Sequence, residues 1–316
     1  YVDVSLLGKY NLDENFNDFH IDKILDLDLV NKEAIKKAKL NVVIDAVNST
    51  GGFMIPKLLE KLGVSYHKLY CEPNGIFPHN PEPLAENLSE ISTQVINNGS
   101  HLGLVVDPDV DRLAIVCEDG SMFGEEYTLV SVADYILSKK RGSTVSNLSS
   151  TRALKDITEK YGCNYFPSAV GEVNVVECMK INNAVIGGEG NGGVILPDLH
   201  YGRDALVGIA LFLSLYAEKG LKASVLRDSY PKYYMKKNKV ELDDENKIQN
   251  VFDYLLLEYD YAHINKIDGV KFDFETGWVH VRRSNTEPII RIYSEFNNKA
   301  DLEKFSKEFF TKINTF

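Results

Sequence analysis

The sequence predicts an α/β protein: two consecutive α/β domains with mixed sheets, then a small C-terminal α+β domain. Three observations carry that expectation. A chain of 316 residues is longer than one hydrophobic core usually serves. From residue 40 onward, short apolar runs alternate with helical patterns and turn residues, as in a mainly parallel sheet covered by helices. Beyond about residue 230 that alternation stops, and short strands with turn signals stand between two helices. The expected boundaries are 1–118, 119–230 and 231–316.

In the first unit, residues 41–46 predict a buried strand, Asn48-Ser49-Thr50-Gly51-Gly52 a tight turn, and 53–62 a helix that tolerates Pro56 only in its first turn. Residues 65–69 are extended, 83–97 helical, and 102–106 a strand that runs into an acidic loop. That loop lies at a strand's carboxyl end, where such sheets bind ligands. The second unit opens with a turn at Asp119-Gly120 and a helix over 126–139. A strand at 144–148 precedes a helix over 152–161, capped by Ser150 or Thr151. A helix near 173–181 and a strand at 184–186 lead into a glycine-rich stretch, and a strongly amphipathic helix over 203–219 closes the unit. After a polar stretch at 227–239, the third unit has a helix over 245–258, turns at Asp268-Gly269 and Thr276-Gly277, and a last helix over 299–313.

The composition narrows the partners. With 46 acidic and 35 basic residues the net charge is −11, which disfavours nucleic acid and anionic membrane as partners. Any phosphate site must be a local basic pocket. Cys71, Cys117, Cys163 and Cys178 form no C-x-x-C pair, as expected for reduced thiols in a cytoplasm. No apolar stretch approaches the length of a membrane span, and no signal peptide is expected from the residues at the start. The chain opens on Tyr1 within ordinary folded sequence, so a processed or truncated product is expected.

Three constellations carry chemistry. The first is Asp107-Pro108-Asp109-Val110-Asp111-Arg112, set between two apolar runs. Carboxylates packed so closely repel one another, so they splay into water or gather a hard divalent cation. Calcium is disfavoured: Glu118 stands at the twelfth position of a calcium loop, but the sixth, which needs glycine, is Arg112. Magnesium and phosphate chemistry are the expectation. The second is Gly187-Gly188-Glu189-Gly190-Asn191-Gly192-Gly193, whose backbone permits close approach while Glu189 and Asn191 offer acceptors and a donor for sugar hydroxyls. A plain turn between strands explains it equally well, and it lacks the dinucleotide-binding spacing. The third runs from Arg282 through Arg283, Ser284, Asn285, Thr286, Glu287 and Pro288 to Arg291. Arginines, hydroxyls and an amide bracketing one turn suit a phosphate dianion better than they suit a surface loop. His79, His200 and His280 are expected to be surface or packing residues.

With these motifs in order, the chain resembles the α-D-phosphohexomutases, the family of phosphoglucomutases, phosphomannomutases and phosphoglucosamine mutases, over nearly all its length. The resemblance implies the second, third and fourth of that family's four domains. Asp107, Asp109 and Asp111 stand where the family's Asp-Gly-Asp-Gly-Asp-Arg loop binds Mg²⁺, with Pro108 and Val110 in place of glycines. Glu189 and Asn191 stand where a Gly-Glu-x-Ser-Gly loop reads sugar hydroxyls, Asn191 replacing serine and Gly193 a frequent histidine. Val173 occupies a position often held by Lys or Arg. Arg282, Ser284, Asn285, Thr286 and Arg291 stand where the fourth domain grips the substrate phosphate. The family's phosphoserine loop has no match here, so the nucleophile domain is expected to be missing and this chain inactive by itself.

The implied activity is interconversion of hexose 1-phosphate and hexose 6-phosphate through a phosphoserine and a hexose bisphosphate, with Arg112 stabilising the transferring group. A non-catalytic sugar-phosphate binding protein is the alternative. A magnesium-dependent phosphatase is weaker, for want of an aspartate nucleophile motif.

Overall fold

The computed structural model describes residues 2–13, 15–241, 245–284 and 289–316. Two helices, α1 (Phe16–Leu25) and α2 (Lys32–Ala38), precede the first sheet and were not foreseen. The sheet then forms from β1 (Asn41–Asp45), β2 (Ser65–Leu69), β3 (Leu102–Val106) and β4 (Leu113–Cys117) in the order β2-β1-β3-β4. β1 runs parallel to β2 and β3, and β4 returns antiparallel to β3. β3 and β4 are buried along their whole length, which is why they read as unbroken apolar runs. Helix α3 (Gly51–Leu62) starts earlier than expected because Gly51 and Gly52 belong to it. A Cβ on Gly52 would stand 2.2 Å from the Cys71 carbonyl oxygen, so only glycine lets this helix approach so closely. Helix α4 (Ser89–Asn97) starts later than the expected residue 83, since Leu84, after Pro83, is extended at φ −92°, ψ 148°.

The second unit repeats this topology. Helix α5 (Glu125–Lys139) leads to β5 (Thr144–Asn147), α6 (Ala153–Lys160), β6 (Tyr165–Ser168), α7 (Glu172–Ile181), β7 (Ile186–Glu189) and β8 (Gly193–Ile195). The order is β6-β5-β7-β8, with β5 parallel to β6 and β7, and β8 antiparallel to β7. Strand β7 starts and ends later than the expected 184–186, so Glu189 closes a strand instead of projecting from a loop. The N-cap of α6 is Arg152, with no side-chain capping hydrogen bond, instead of the expected Ser150 or Thr151; Thr151 Oγ1 accepts from Ala153 N at 3.2 Å just ahead of the helix. Helix α8 (Ala205–Lys219) is buried on every side from Ala205 to Tyr216 instead of amphipathic. It lies against α1, α2, α3, α5, β4 and β8, which leaves no face for water. Helix α9 (Ala223–Asp228) follows.

The third unit is an antiparallel sheet in the order β10-β11-β12-β13-β9, built from β9 (Tyr234–Glu241), β10 (His263–Asn265), β11 (Val270–Asp273), β12 (Gly277–Arg283) and β13 (Ile289–Phe296). The stretch expected to be only polar thus becomes the edge strand β9. One sheet face carries Val270, Phe272, Val279, Val281, Ile290 and Ile292 into a core with α10 (Glu245–Glu258) and α11 (Lys299–Ile313). Period-two alternation sends Lys271, Trp278, His280, Arg282, Arg291, Tyr293 and Glu295 to the other face. That polar face meets the second unit: Ser149 Oγ lies 2.9 Å from His280 Nδ1, Arg152 N donates to Glu295 Oε1 at 2.8 Å, and Lys271 Nζ donates to the Leu148 carbonyl at 2.9 Å.

Candidate active site

The turns β3–β4 and β7–β8 fall at the same place in two sheets of the same order, and the fold brings them together. The first holds the acidic trio. Asp107 is buried, and its Oδ1 accepts the backbone N–H groups of Asp111 and Arg112, each at 3.0 Å. Ser49 Oγ and Thr50 Oγ1 donate to the Pro108 carbonyl at 2.7 and 2.6 Å and tether the loop to α3. Val110 holds φ 60°, a left-handed conformation that strains a β-branched residue, and its side chain packs into the main core.

One carboxylate oxygen from each of Asp107, Asp109 and Asp111 lies within 4.8 Å of the others. Burial, with Asp111 beside it, pushes the Asp107 carboxyl up to about 7, and a cation at this turn would favour its charged form. Asp111 Oδ1 is buried with no hydrogen-bond partner. All-oxygen donors, one of them orphaned, fit a hard divalent ion such as Mg²⁺. Arg112 closes one side, its Nε 3.3 Å from Asp107 Oδ2 and 3.6 Å from Asp111 Oδ1.

The second turn positions Glu189. Its Oε1 accepts from Asn147 Nδ2 at 2.8 Å and Gly171 N at 3.2 Å, and its Oε2 from Arg203 Nη1 at 2.8 Å. Asn191 Oδ1 accepts from Gly193 N at 3.2 Å within the turn. Gly192, at φ 92°, donates no side chain but brings its carbonyl to Leu113 N at 3.0 Å, and Arg112 and Gly193 form a β-bridge.

Arg203 joins the two turns, and the sequence reading missed it. One guanidinium contacts Asp111 Oδ2, Glu189 Oε2 and, through Nε at 3.2 Å, Glu172 Oε2. The signal was present in Gly202-Arg203-Asp204: an arginine just ahead of a helix-capping aspartate in an acidic chain. The helical pattern over 203–219 absorbs it as the first residue of the helix. Val173, the position noted for a missing basic residue, is 79% exposed and directly follows Glu172 of this cluster.

The third unit contributes the cationic wall. Arg282 stands opposite Arg291 in the β12–β13 pairing, and Arg291 opposite Lys239 of β9, so three cations share one row. Arg291 Nη2 donates to Ser284 Oγ at 3.4 Å. Arg282 lies 3.7 Å from Asp268, whose Oδ2 accepts from Val170 N at 3.0 Å, and the next amide, Gly171 N, holds Glu189. Asn285 and Thr286 lie outside the described residues. Of the histidines, His280 is a packing residue as expected, its imidazole held well below the usual range, to about 3, by burial. His79 pairs with Asp45 at 3.1 Å and His200 with Asp204 at 3.1 Å.

Three models of one family match in succession. They are phosphoglucomutase/phosphomannomutase alpha/beta/alpha domain II over residues 18–120, alpha/beta/alpha domain III over 124–234, and the C-terminal domain over 235–312. A phosphoglucomutase/phosphomannomutase of Thermococcus kodakarensis is 37% identical over 278 residues, 87% of this chain and 61% of that protein. A crystal structure of a family protein from Burkholderia thailandensis superposes with TM-score 0.82 at 25% identity, covering 95% of this chain and 64% of that one. The fold is also similar, at TM-score 0.66 and 14% identity over 98% of this chain and 72% of the other, to Aspergillus fumigatus N-acetylphosphoglucosamine mutase, solved with GlcNAc-6P and magnesium. The chain therefore spans about three fifths of the length of the Thermococcus relative it matches.

Proposed function

Because the chain belongs to the phosphoglucomutase/phosphomannomutase family of α-D-phosphohexomutases, we propose that it forms the cation, sugar and phosphate walls of an enzyme interconverting hexose 1-phosphates and hexose 6-phosphates. The observation that carries this reading is the joining of the aspartate turn to the Glu189 turn through Arg203. Asp107, Asp109 and Asp111 would hold Mg²⁺, which would supply charge neutralisation for phosphoryl transfer. Arg112, fixed against Asp107 and Asp111, is aimed from the same loop and stabilises the transferring group. Glu189, oriented by Asn147 and Gly171, accepts hydrogen bonds from vicinal sugar hydroxyls, and Asn191 donates from the neighbouring position.

Arg282, Ser284, Asn285, Thr286 and Arg291 grip the phosphate that is not reacting. A bisphosphate that turns end for end presents either phosphate to this grip, while Glu189 meets hydroxyls whose places survive the turn. The phosphoserine that gives and regains phosphate belongs, in this proposal, to a domain outside the 316 residues, and the chain by itself does not turn over. Four free cysteines fit a cytoplasmic setting, and no helix among the described residues is long and apolar enough to cross a membrane. The test is conversion of glucose, mannose and glucosamine 1-phosphates by the full-length protein in Mg²⁺. Absence of turnover with every hexose phosphate rejects the proposal.

A further inference from the structure

We infer that His20, His200 and Asp204 form a binding site for a borderline divalent cation of the zinc class, with donor atoms distinct from those of the aspartate turn that borders the same cavity. Asp204 is the N-cap residue of α8, and its Oδ1 accepts from Leu206 N at 2.8 Å and Val207 N at 3.2 Å. Its Oδ2 meets His20 Nε2 at 2.8 Å and His200 Nε2 at 3.1 Å. His20 arrives from α1 and His200 from the loop ahead of α8, so the set is assembled by the tertiary fold. One donor atom from each residue lies within 4.8 Å of the other two.

Both imidazoles converge on Asp204 Oδ2, which bears two lone pairs, so the three side chains already form a compact N, N, O donor set. Two ring nitrogens and one oxygen around a common point are what a tetrahedral ion requires. With bonds of roughly 2.0–2.2 Å, its donors stand roughly 3.3–3.6 Å apart. The observed 2.8 and 3.1 Å contacts are slightly closer, so a small outward movement opens the site. The two rings are tilted by 40° with centroids 5.7 Å apart, and both Nε2 atoms lie beside Asp204 Oδ2. A cavity of about 300 Å³ lined by His20, His200, Asp204, Arg203 and Asp109 supplies an entry path and room for a water as fourth ligand.

Donor chemistry sorts the two sites. Three carboxylates suit magnesium, whereas two imidazoles and a carboxylate suit zinc. An ion here fastens α1 to the start of α8, next to Arg203, the residue that spans the two turns. The site therefore serves as a clip that fixes the backbone presenting Arg203.

The test is a calorimetric titration of the chain with Zn²⁺ in Mg²⁺-saturated buffer, with Co²⁺ as a visible probe. The expected result is one equivalent of Zn²⁺, with affinity reduced at least about a hundredfold by His20→Gln and by His200→Gln. Asp109→Asn leaves that uptake unchanged. Co²⁺ gives the strong visible bands of a tetrahedral centre, lost in both histidine variants. Asp204 is left intact because it caps α8, and glutamine still offers Asp204 an N–H donor. Circular dichroism checks the fold of each variant, and the Co²⁺ spectrum of the unsubstituted chain stands apart from folding. No saturable uptake, weak octahedral Co²⁺ bands, uptake indifferent to both histidine substitutions, or uptake lost with Asp109 each overturns the inference.

Discussion

The β3–β4 and β7–β8 turns hold the same place in two sheets of the same strand order, yet their chemistry is opposite. The first is built of charge: three carboxylates and an arginine on a loop that strains Val110 into a left-handed backbone. The second is built of glycine, with one carboxylate held rigid by Asn147, Gly171 and Arg203. Topology sets where each turn sits, and side chains set what it binds. Arg203 and the Leu113–Gly192 hydrogen bond make one site of the two.

The sharpest way to break the comparison is to remove charge from the first turn. In the full-length protein, Asp107→Asn is expected to lower turnover by about a thousandfold or more, measured as hexose 1-phosphate conversion. Severing the link comes next. Arg203→Ala frees Asp111 and Glu189 together, so Mg²⁺ affinity and hexose phosphate affinity both fall by about 10–100-fold in calorimetry. Arg203→Lys restores neither fully, because one ammonium cannot bridge three carboxylates as a guanidinium does.

Backbone substitutions sharpen the comparison through stability. An added Cβ at Gly192 meets the Leu113 carbonyl oxygen at 2.5 Å on a φ of 92°, so Gly192→Ala is expected to cost about 2–5 kcal/mol in denaturant unfolding. Val110→Gly relieves strain while removing packing, and the two effects nearly offset, to within about 1.5 kcal/mol. A pH-dependent effect concerns the docking of the second unit on the third. His280, buried against Ser149, is held below its ordinary 6.5 to about 3. Its contribution is fully present above pH 6.5 and is lost as pH falls toward 3. The melting temperature should fall less steeply across that window in His280→Gln than in the unsubstituted protein.

Much of this was legible in the sequence for identifiable reasons. The strands flanking the acidic loop are buried on both faces, so 102–106 and 113–116 showed as unbroken apolar runs with charge between them. The polar Arg227–Lys239 stretch hid β9, because an edge strand that carries Lys236, Lys237 and Lys239 on both of its faces looks like solvent-facing coil. The apolar pattern of α8 could not reveal that neighbours cover every face. Arg203 escaped because its three carboxylate partners come from separate segments at Asp111, Glu172 and Glu189, and only the tertiary fold gathers them.

The most direct measurement is calorimetric uptake of Mg²⁺ by the chain, beside an Asp107→Asn, Asp109→Asn, Asp111→Asn triple variant and a Glu189→Gln variant. The account predicts one saturable equivalent in the unsubstituted chain and in Glu189→Gln, and none in the triple variant. Equal uptake by the triple variant and the unsubstituted chain would contradict it.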